Sequence, residues 1–436
     1  MEKIAIIGGG IAGLTAAYLL NPQYHITLFE KDNRVGGNAC THQAADGTML
    51  DIAVGSVLNR VAQNFLLLCR ELRVPMMLQP KSSLISIHDL DSGKGIYLTF
   101  LSLRGLMAQR FGLFTMMPLF LRIMHANYRA VRRLKKGELK GLSVAAAYDL
   151  NKFSAMERYM LVAPLCLLSS MPYSDVVNGP AEFFIAKMQA HGQFNPLLTM
   201  LGNCFPRHFT QSYIDALANT FAEKIQLNTA LKTVVRTADE VKLVMDDGHA
   251  QRFDKIVFAC NADQSLALLE RPTPHEEKLL GAWSYQDVPM VVHRDHACLP
   301  PRACCQPWNC IQSPLNGEPH FSISYCSWLL SPSVASDCEY VSTQHAGVPI
   351  AEDKIDCEKH FRVPIYDFAS FATLSDLPSL NGNQHSYFCG SHFGFGLHGD
   401  AVNSAIAVAG QLGIDCMVYD RPSMATPTNK GATNVV

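Results

Sequence analysis

The feature that most constrains this chain is its opening, "KIAIIGGGIAGLTAAYLL" from residue 3, followed by "YHITLFEKDNRVGG". "KIAII" is a short isoleucine-rich run of the length expected for a strand buried on both faces of a parallel sheet. Gly8, Gly10 and Gly13 then fall in the spacing G-x-G-x-x-G, and "LTAAYLL" continues with helical character to Asn21-Pro22. "HITLFE" reads as a second strand ending in Glu30. Each residue has a mechanical reason. Gly8 permits a tight turn, Gly10 lets the backbone approach a pyrophosphate, and Gly13 lets helix and strand pack closely. The helix N-terminus offers unpaired N–H groups to phosphate. A carboxylate closing the second strand accepts hydrogen bonds from ribose hydroxyls and repels a 2′-phosphate. The predicted unit is a βαβ fold that holds a dinucleotide.

Arg34, Gly36 and Gly37 follow at once, giving E-x-x-x-R-x-G-G. With this second glycine pair the sequence resembles the flavin-containing amine oxidase superfamily. The resemblance implies FAD as cofactor and an α/β fold: a Rossmann-type FAD-binding lobe with an interleaved α+β substrate domain. It places FAD contacts at Gly8, Gly10, Ile11, Ala12 and Gly13, at Glu30 and Lys31, and at Arg34, Gly36, Gly37 and Asn38. Further contacts are implied at Ser56 and, through the backbone of a later strand, at Leu231. The chain departs from the family in having Asn38 where Arg or His is usual. It also separates Asp51 from Gly55 by "IAV", where relatives have an Asp-x-Gly turn.

A second triplet, Gly394, Gly396 and Gly399, lies in "YFCGSHFGFGLHGDAVNSAIAVAGQLG". It does not begin another dinucleotide fold, because the chain ends before the remaining strands and no acidic residue closes a following strand. "SYFCG" reads as a strand and "AVNSAIAVAGQLG" as a helix ending at Gly413. In the superfamily this pair returns to the FAD lobe and aims a helix N-terminus at the flavin. FAD contacts are thereby implied at Gly390, Gly399, Asp400, Ala401 and Val402. N–H groups around Asp400 to Asn403 would stabilise negative charge on reduced flavin.

Other segments are similar to a bacterial branch of predicted NAD/FAD-binding oxidoreductases, notably "FDKIVFACNADQSLALL" and "FRVPIYD". The similarity is weakest over 84–215, where "GNCFPRHF" stands in place of a Gly-Gly-Ser run. "EKIQLNTALKTVVRTADEVKLVMDDGHAQRFDKIVFAC" reads as a β-meander with a turn at Asp246-Asp247-Gly248. The expected division is 1–83, 201–270 and 376–418 for the FAD domain and 84–200 and 271–375 for the substrate domain. Residues 419–436 read as a disordered tail.

His392, His398 and Asp400 are the catalytic candidates, because they lie on the segment expected beside the flavin. Dehydrogenation sends a hydride to FAD and often needs a base for the second proton, a role that suits histidine near neutral pH. The alternative for His398 and Asp400 is to form the turn and cap the helix. His191 in "QAHGQ" is either a pocket residue or a structural one. Trp308, Tyr325 and Trp328 either line an apolar pocket or fill a sheet core.

In "PLFLRIMHANYRAVRRLKK" Pro118 suits a first helical position. Arg122, His125, Arg129, Arg132 and Lys136 recur at helical spacing as one basic face. This is either a solvated face or a peripheral contact with anionic membrane, with Leu119, Phe120, Ile123, Met124, Val131 and Leu134 available for burial.

A net charge of −2 gives no reason to expect nucleic acid. No apolar run reaches membrane-spanning length, and strand-like sequence from Lys3 leaves no room for a signal peptide. The fourteen cysteines are scattered with no C-x-x-C pair and the start looks cytosolic, so free buried thiols are expected, in a cytoplasmic protein with no metal. The expected function is an FAD-dependent oxidoreductase that dehydrogenates a C–C or C–N bond of a small molecule. An apolar, fatty-acyl substrate is preferred to an amine. The alternatives are a redox-neutral FAD-dependent double-bond isomerase and a non-catalytic lipid-binding protein on the same fold.

Overall fold

A computed structural model describes residues 1–53, 57–58, 62–79, 85–90, 93–97, 113–192, 194, 203–315 and 318–416. Ser56 and the 419–436 segment lie outside them. The strand Lys3–Ile7 occupies the middle of a five-stranded sheet whose order is Ile225–Gln226, His25–Phe29, Lys3–Ile7, Lys255–Phe258, Ser386–Phe388. All its pairings are parallel. The unbroken apolar run has a direct cause. Ile4 and Ile6 pack under the helices Ile11–Leu20, Gln211–Ala218 and His398–Gln411, while Ala5 and Ile7 pack into the core on the opposite face. Strands covered on both faces have no reason to alternate. The meander forms a three-stranded antiparallel sheet, Leu231–Arg236, Val241–Met245 and Ala250–Phe253. Its Asp246-Asp247-Gly248 turn is held by a hydrogen bond from His249 N to Asp247 Oδ1.

A seven-stranded sheet stands apart, in the order Ile355–Pro364, Tyr285–His293, Val341–Gln344, Glu318–Cys326, Trp308–Leu315, Ile85–Asp89, Lys94–Tyr97. The helices Leu113–Lys135, Ala155–Ser169 and Ala181–Ala190 share a core with it. Its strands come from both before and after the meander, so the chain crosses between the two sheets more than once. All fourteen cysteines are free, and nine are buried.

The basic helix differs from the reading above. It begins at Leu113, so Pro118 lies inside it rather than at its first position. Arg122 is bound to the neighbouring helix: its guanidinium pairs with the buried Glu157 at 3.0 Å and sits over the Phe153 ring. Ile123 is buried in the protein core, with Val131 and Leu134 packed against it, so these three are not free to enter lipid. The apolar side chains that do face outward are Met117, Leu121 and Tyr128.

Candidate active site

The glycine loop is built by contacts that only a bare backbone allows. Gly8 has φ +106°, and its N–H donates to the Phe29 carbonyl at 2.9 Å. A β-carbon on Gly13 would lie 1.9 Å from the Gly8 carbonyl oxygen, so that position is closed to any other residue. Gly10 is different, because a β-carbon there would meet nothing within 4 Å. It faces a cavity of about 870 Å³, which is within the range of cofactor and ligand pockets.

Glu30 ties the loop to the second strand. Its Oε2 accepts from Gly9 N at 2.7 Å and its Oε1 from Asp32 N at 3.0 Å. It is buried yet lines the cavity, which leaves carboxylate lone pairs for a ligand hydroxyl. The second glycine pair docks on the first loop, with Gly36 N donating to the Gly9 carbonyl at 2.7 Å. Arg34 holds that pair in place by donating to the carbonyls of Gly37 at 2.7 Å and Ala39 at 3.1 Å. The cavity wall takes in Gly8, Gly10, Ile11, Ala12, Glu30, Lys31, Arg34, Gly36, Gly37, Asn38 and Leu231. Gly13 lies behind it.

The second glycine triplet contributes to the same cavity through Gly390, Gly396, His398, Gly399 and Ala401, with His392 beside them. The helix here begins earlier than expected, at His398. Asp400 N and Ala401 N both donate to the Leu397 carbonyl, at 3.0 and 3.2 Å. Their N–H groups are therefore used inside the turn, and the unpaired N–H end shifts back to His398 and Gly399. Val402 is fully buried in the helix contact. Asp400 does not line the cavity. Its Oδ2 accepts from Phe395 N at 3.0 Å and Leu397 N at 3.1 Å, the geometry of a carboxylate reaching back over a helix start.

Burial lowers the pKa of both candidate histidines, His392 to about 3 and His398 to about 4. Each is a neutral imidazole near neutral pH, in which state it polarises or donates but is a weak proton acceptor. His191 is buried, with Nδ1 2.5 Å from the Lys187 carbonyl, and does not line the cavity. Trp308 and Tyr325 are cross-strand partners and both line it. Trp328 lies elsewhere, under the Arg302 guanidinium.

Sequence reasoning missed Lys187. It sits in Ala181–Ala190, is 2 % exposed and lines the cavity. Burial pushes its amine down to about 7, against a smaller opposing pull from Asp400. The signal was present: a single cation in the otherwise apolar run "FFIAKM". The strand end at Asp51 was also under-read. Its carboxylate accepts from Thr41 Oγ1 at 2.7 Å and from Thr210 N and Oγ1, and so fastens the 203–218 segment. Outside the cavity, His42, Asp356 and Cys357 come within metal-ligand reach of one another, but Asp356 is already bound by His42 Nε2 and Ala45 N.

The residues present fit FAD: a bare backbone at Gly10 for the diphosphate, a buried carboxylate at Glu30 for the ribose, and a helix start at His398–Gly399 on the same cavity. Comparison with known proteins agrees. The chain is 40% identical over 62 residues to coproporphyrinogen III oxidase of Staphylococcus aureus, a stretch covering 14% of this chain and 13% of that protein. In fold it is similar to putrescine oxidase bound to putrescine, with TM-score 0.67, 13% identity and coverage of 94% and 98% of the two chains. It is similar also to a fatty acid isomerase from P. acnes that produces CLA, with TM-score 0.63, 13% identity and the same coverage. The profile of the flavin-containing amine oxidoreductase family matches residues 11–289. The chain therefore belongs to the flavin-containing amine oxidoreductases, as an FAD-dependent enzyme with their two-domain fold.

Proposed function

We propose that this enzyme dehydrogenates a C–C or C–N bond of an apolar substrate, with a fatty-acyl chain favoured over an amine. The observation that carries the reading is the cavity wall. Beyond the nucleotide loops it presents Ile85, Pro164, Leu167, Leu168, Val288, Met290, Trp308 and Tyr325. Among the described lining residues the acids are Glu30 and Asp32, both at the end of the second strand. An ammonium taken into such a cavity loses its hydration and meets no opposing carboxylate on the apolar side, which costs several kcal/mol. An alkyl chain gains about 0.8 kcal/mol for each methylene buried. FAD, when bound, supplies a two-electron acceptor; the chain's own residues hold it, exclude water and orient the substrate.

The test is anaerobic mixing of the FAD-loaded enzyme with free fatty acids, acyl lipids and primary amines, followed through the flavin band and by mass analysis of products. Bleaching by acyl substrates with loss of two hydrogens supports the proposal. Bleaching by amines alone overturns it. A double bond moved at unchanged mass, with the flavin still oxidised at the end, assigns the redox-neutral isomerase instead.

We further propose a peripheral contact with anionic membrane through the exposed side of Leu113–Lys135. Met117, Leu121 and Tyr128 stand there, 54–65 % exposed, with His125, Arg129, Arg132 and Lys136 also exposed. No helix among the described residues is long and apolar enough to cross a membrane.

A further inference from the structure

The unassigned group with the most unusual surroundings is Lys187. Its ammonium lies 5.7 Å from the centre of the Phe183 ring and 5.6 Å from that of Tyr366. Among the described residues it makes no hydrogen bond and no ion pair, and Asp400, whose charge reaches it, spends Oδ2 on the amides of Phe395 and Leu397. A buried amine held only by ring faces has three donors to satisfy. A second donor on the same cavity is also unanswered: Gln344 is 1 % exposed, and its Nε2 has no partner. Both groups call for an acceptor, and one of them calls for negative charge.

We propose that Lys187 determines substrate specificity, receiving an anionic group of an apolar substrate, a carboxylate in the simplest case, and turning amines away. This deepens the reading above and rests on it. A carboxylate against the ammonium gains a charge-assisted hydrogen bond in a low-dielectric site, where such bonds are strongest. A protonated amine meets like charge there.

The experiment is calorimetric titration of the FAD-loaded protein with dodecanoate, dodecanol, dodecylamine and coproporphyrin III. Wild type, Lys187→Met and Lys187→Arg are compared at matched FAD content, each first shown to be folded by a cooperative melt. Wild type is expected to bind dodecanoate at least tenfold more tightly than dodecanol and to reject dodecylamine. Lys187→Met should lose that tenfold for dodecanoate with dodecanol unchanged, and Lys187→Arg should restore it. If coproporphyrin III binds more tightly than dodecanoate and suffers the same loss, the charge belongs to a macrocycle side group rather than to an acyl terminus. Equal binding of dodecanoate and dodecanol by wild type, or no change in Lys187→Met, overturns the role of Lys187 and leaves the apolar reading standing. Binding of dodecylamine with neither acyl probe overturns both.

Discussion

The carboxylate of Glu30 receives the amide hydrogen of Gly9 at 2.7 Å, so the acidic end of the second strand is part of the glycine loop itself. Glu30→Ala therefore removes a loop fastening as well as a ribose acceptor. A hydrogen bond to a charged group is worth about 1.5–3 kcal/mol, so FAD affinity should fall roughly ten- to a hundredfold. The FAD-free protein should also melt earlier. Fluorescence titration of FAD and melting of the apoprotein measure the two separately. An unchanged apoprotein melt would mean that the Gly9 contact contributes nothing to the loop.

Asp400 tests whether the C-terminal helix start is scaffold or chemistry. Asp400→Asn keeps an oxygen for the amides of Phe395 and Leu397, and Asp400→Ala removes it. Loss of a cap costs about 0.5–2 kcal/mol. Alanine should lower stability while asparagine leaves both stability and flavin potential near wild type. A shifted potential in Asp400→Asn, with the fold intact, would instead make the carboxylate a tuner of the flavin. Gly394→Ala should destabilise independently, since its β-carbon would come 2.6 Å from Asp400 Oδ1.

The Lys187 amine has a pKa of about 7 in the fold against an ordinary 10.5, because burial opposes the charged form. Between those values the unfolded chain binds more protons than the folded one, so stability rises with pH across that window. The penalty of the buried amine is complete below about pH 7 and gone above about pH 10.5. The groups around it are quiet there: Tyr366 is pushed well above its usual range by burial, and His392 and His398 are neutral. Lys187→Met should thus be more stable than wild type near pH 6.5, by a few kcal/mol, and nearly equal to it near pH 10.5. Urea titrations at the two pH values check this, and a gain of the same size at both would refute it.

NADPH should not bleach the flavin. The second glycine triplet places Gly396 and Gly399 on the wall of the cavity that Gly8 and Gly10 already line, so it forms no separate nucleotide site. Anaerobic mixing with NADPH alone is the measurement, and rapid bleaching is the contrary result.

Anionic vesicles should bind the protein at low salt and neutral ones should not. Each exposed Lys or Arg near such a surface is worth about 1 kcal/mol. Charge reversal at Arg129 and Arg132 should abolish flotation with the vesicles. Reversal at Arg122 should act on stability instead, through its pair with Glu157. Equal flotation on neutral and anionic vesicles would remove the electrostatic part of the proposal.

The nucleotide lobe was legible in the residues because its demands are local. Gly13 stands five residues from the carbonyl it must clear, and Glu30 reaches a loop one helix away. Spacing alone predicts such contacts, and the parallel sheet follows from runs buried on both faces. The substrate side depends on encounters that no spacing encodes. Lys187 meets Tyr366, 179 positions later, Trp308 lines up with Tyr325 through strand register, and Arg122 is drawn to Glu157 on a neighbouring helix. The helix start at His398 likewise depends on how the Leu397 carbonyl and the Asp400 carboxylate close one turn. The sequence by itself determined the dinucleotide fold, its FAD signature and the sites of its turns, because backbone sterics and short-range hydrogen bonding dictate them. Only the tertiary structure decided which charged side chain is stripped of water and left facing the cavity, because desolvation is set by what packs around a group and not by its neighbours in the chain.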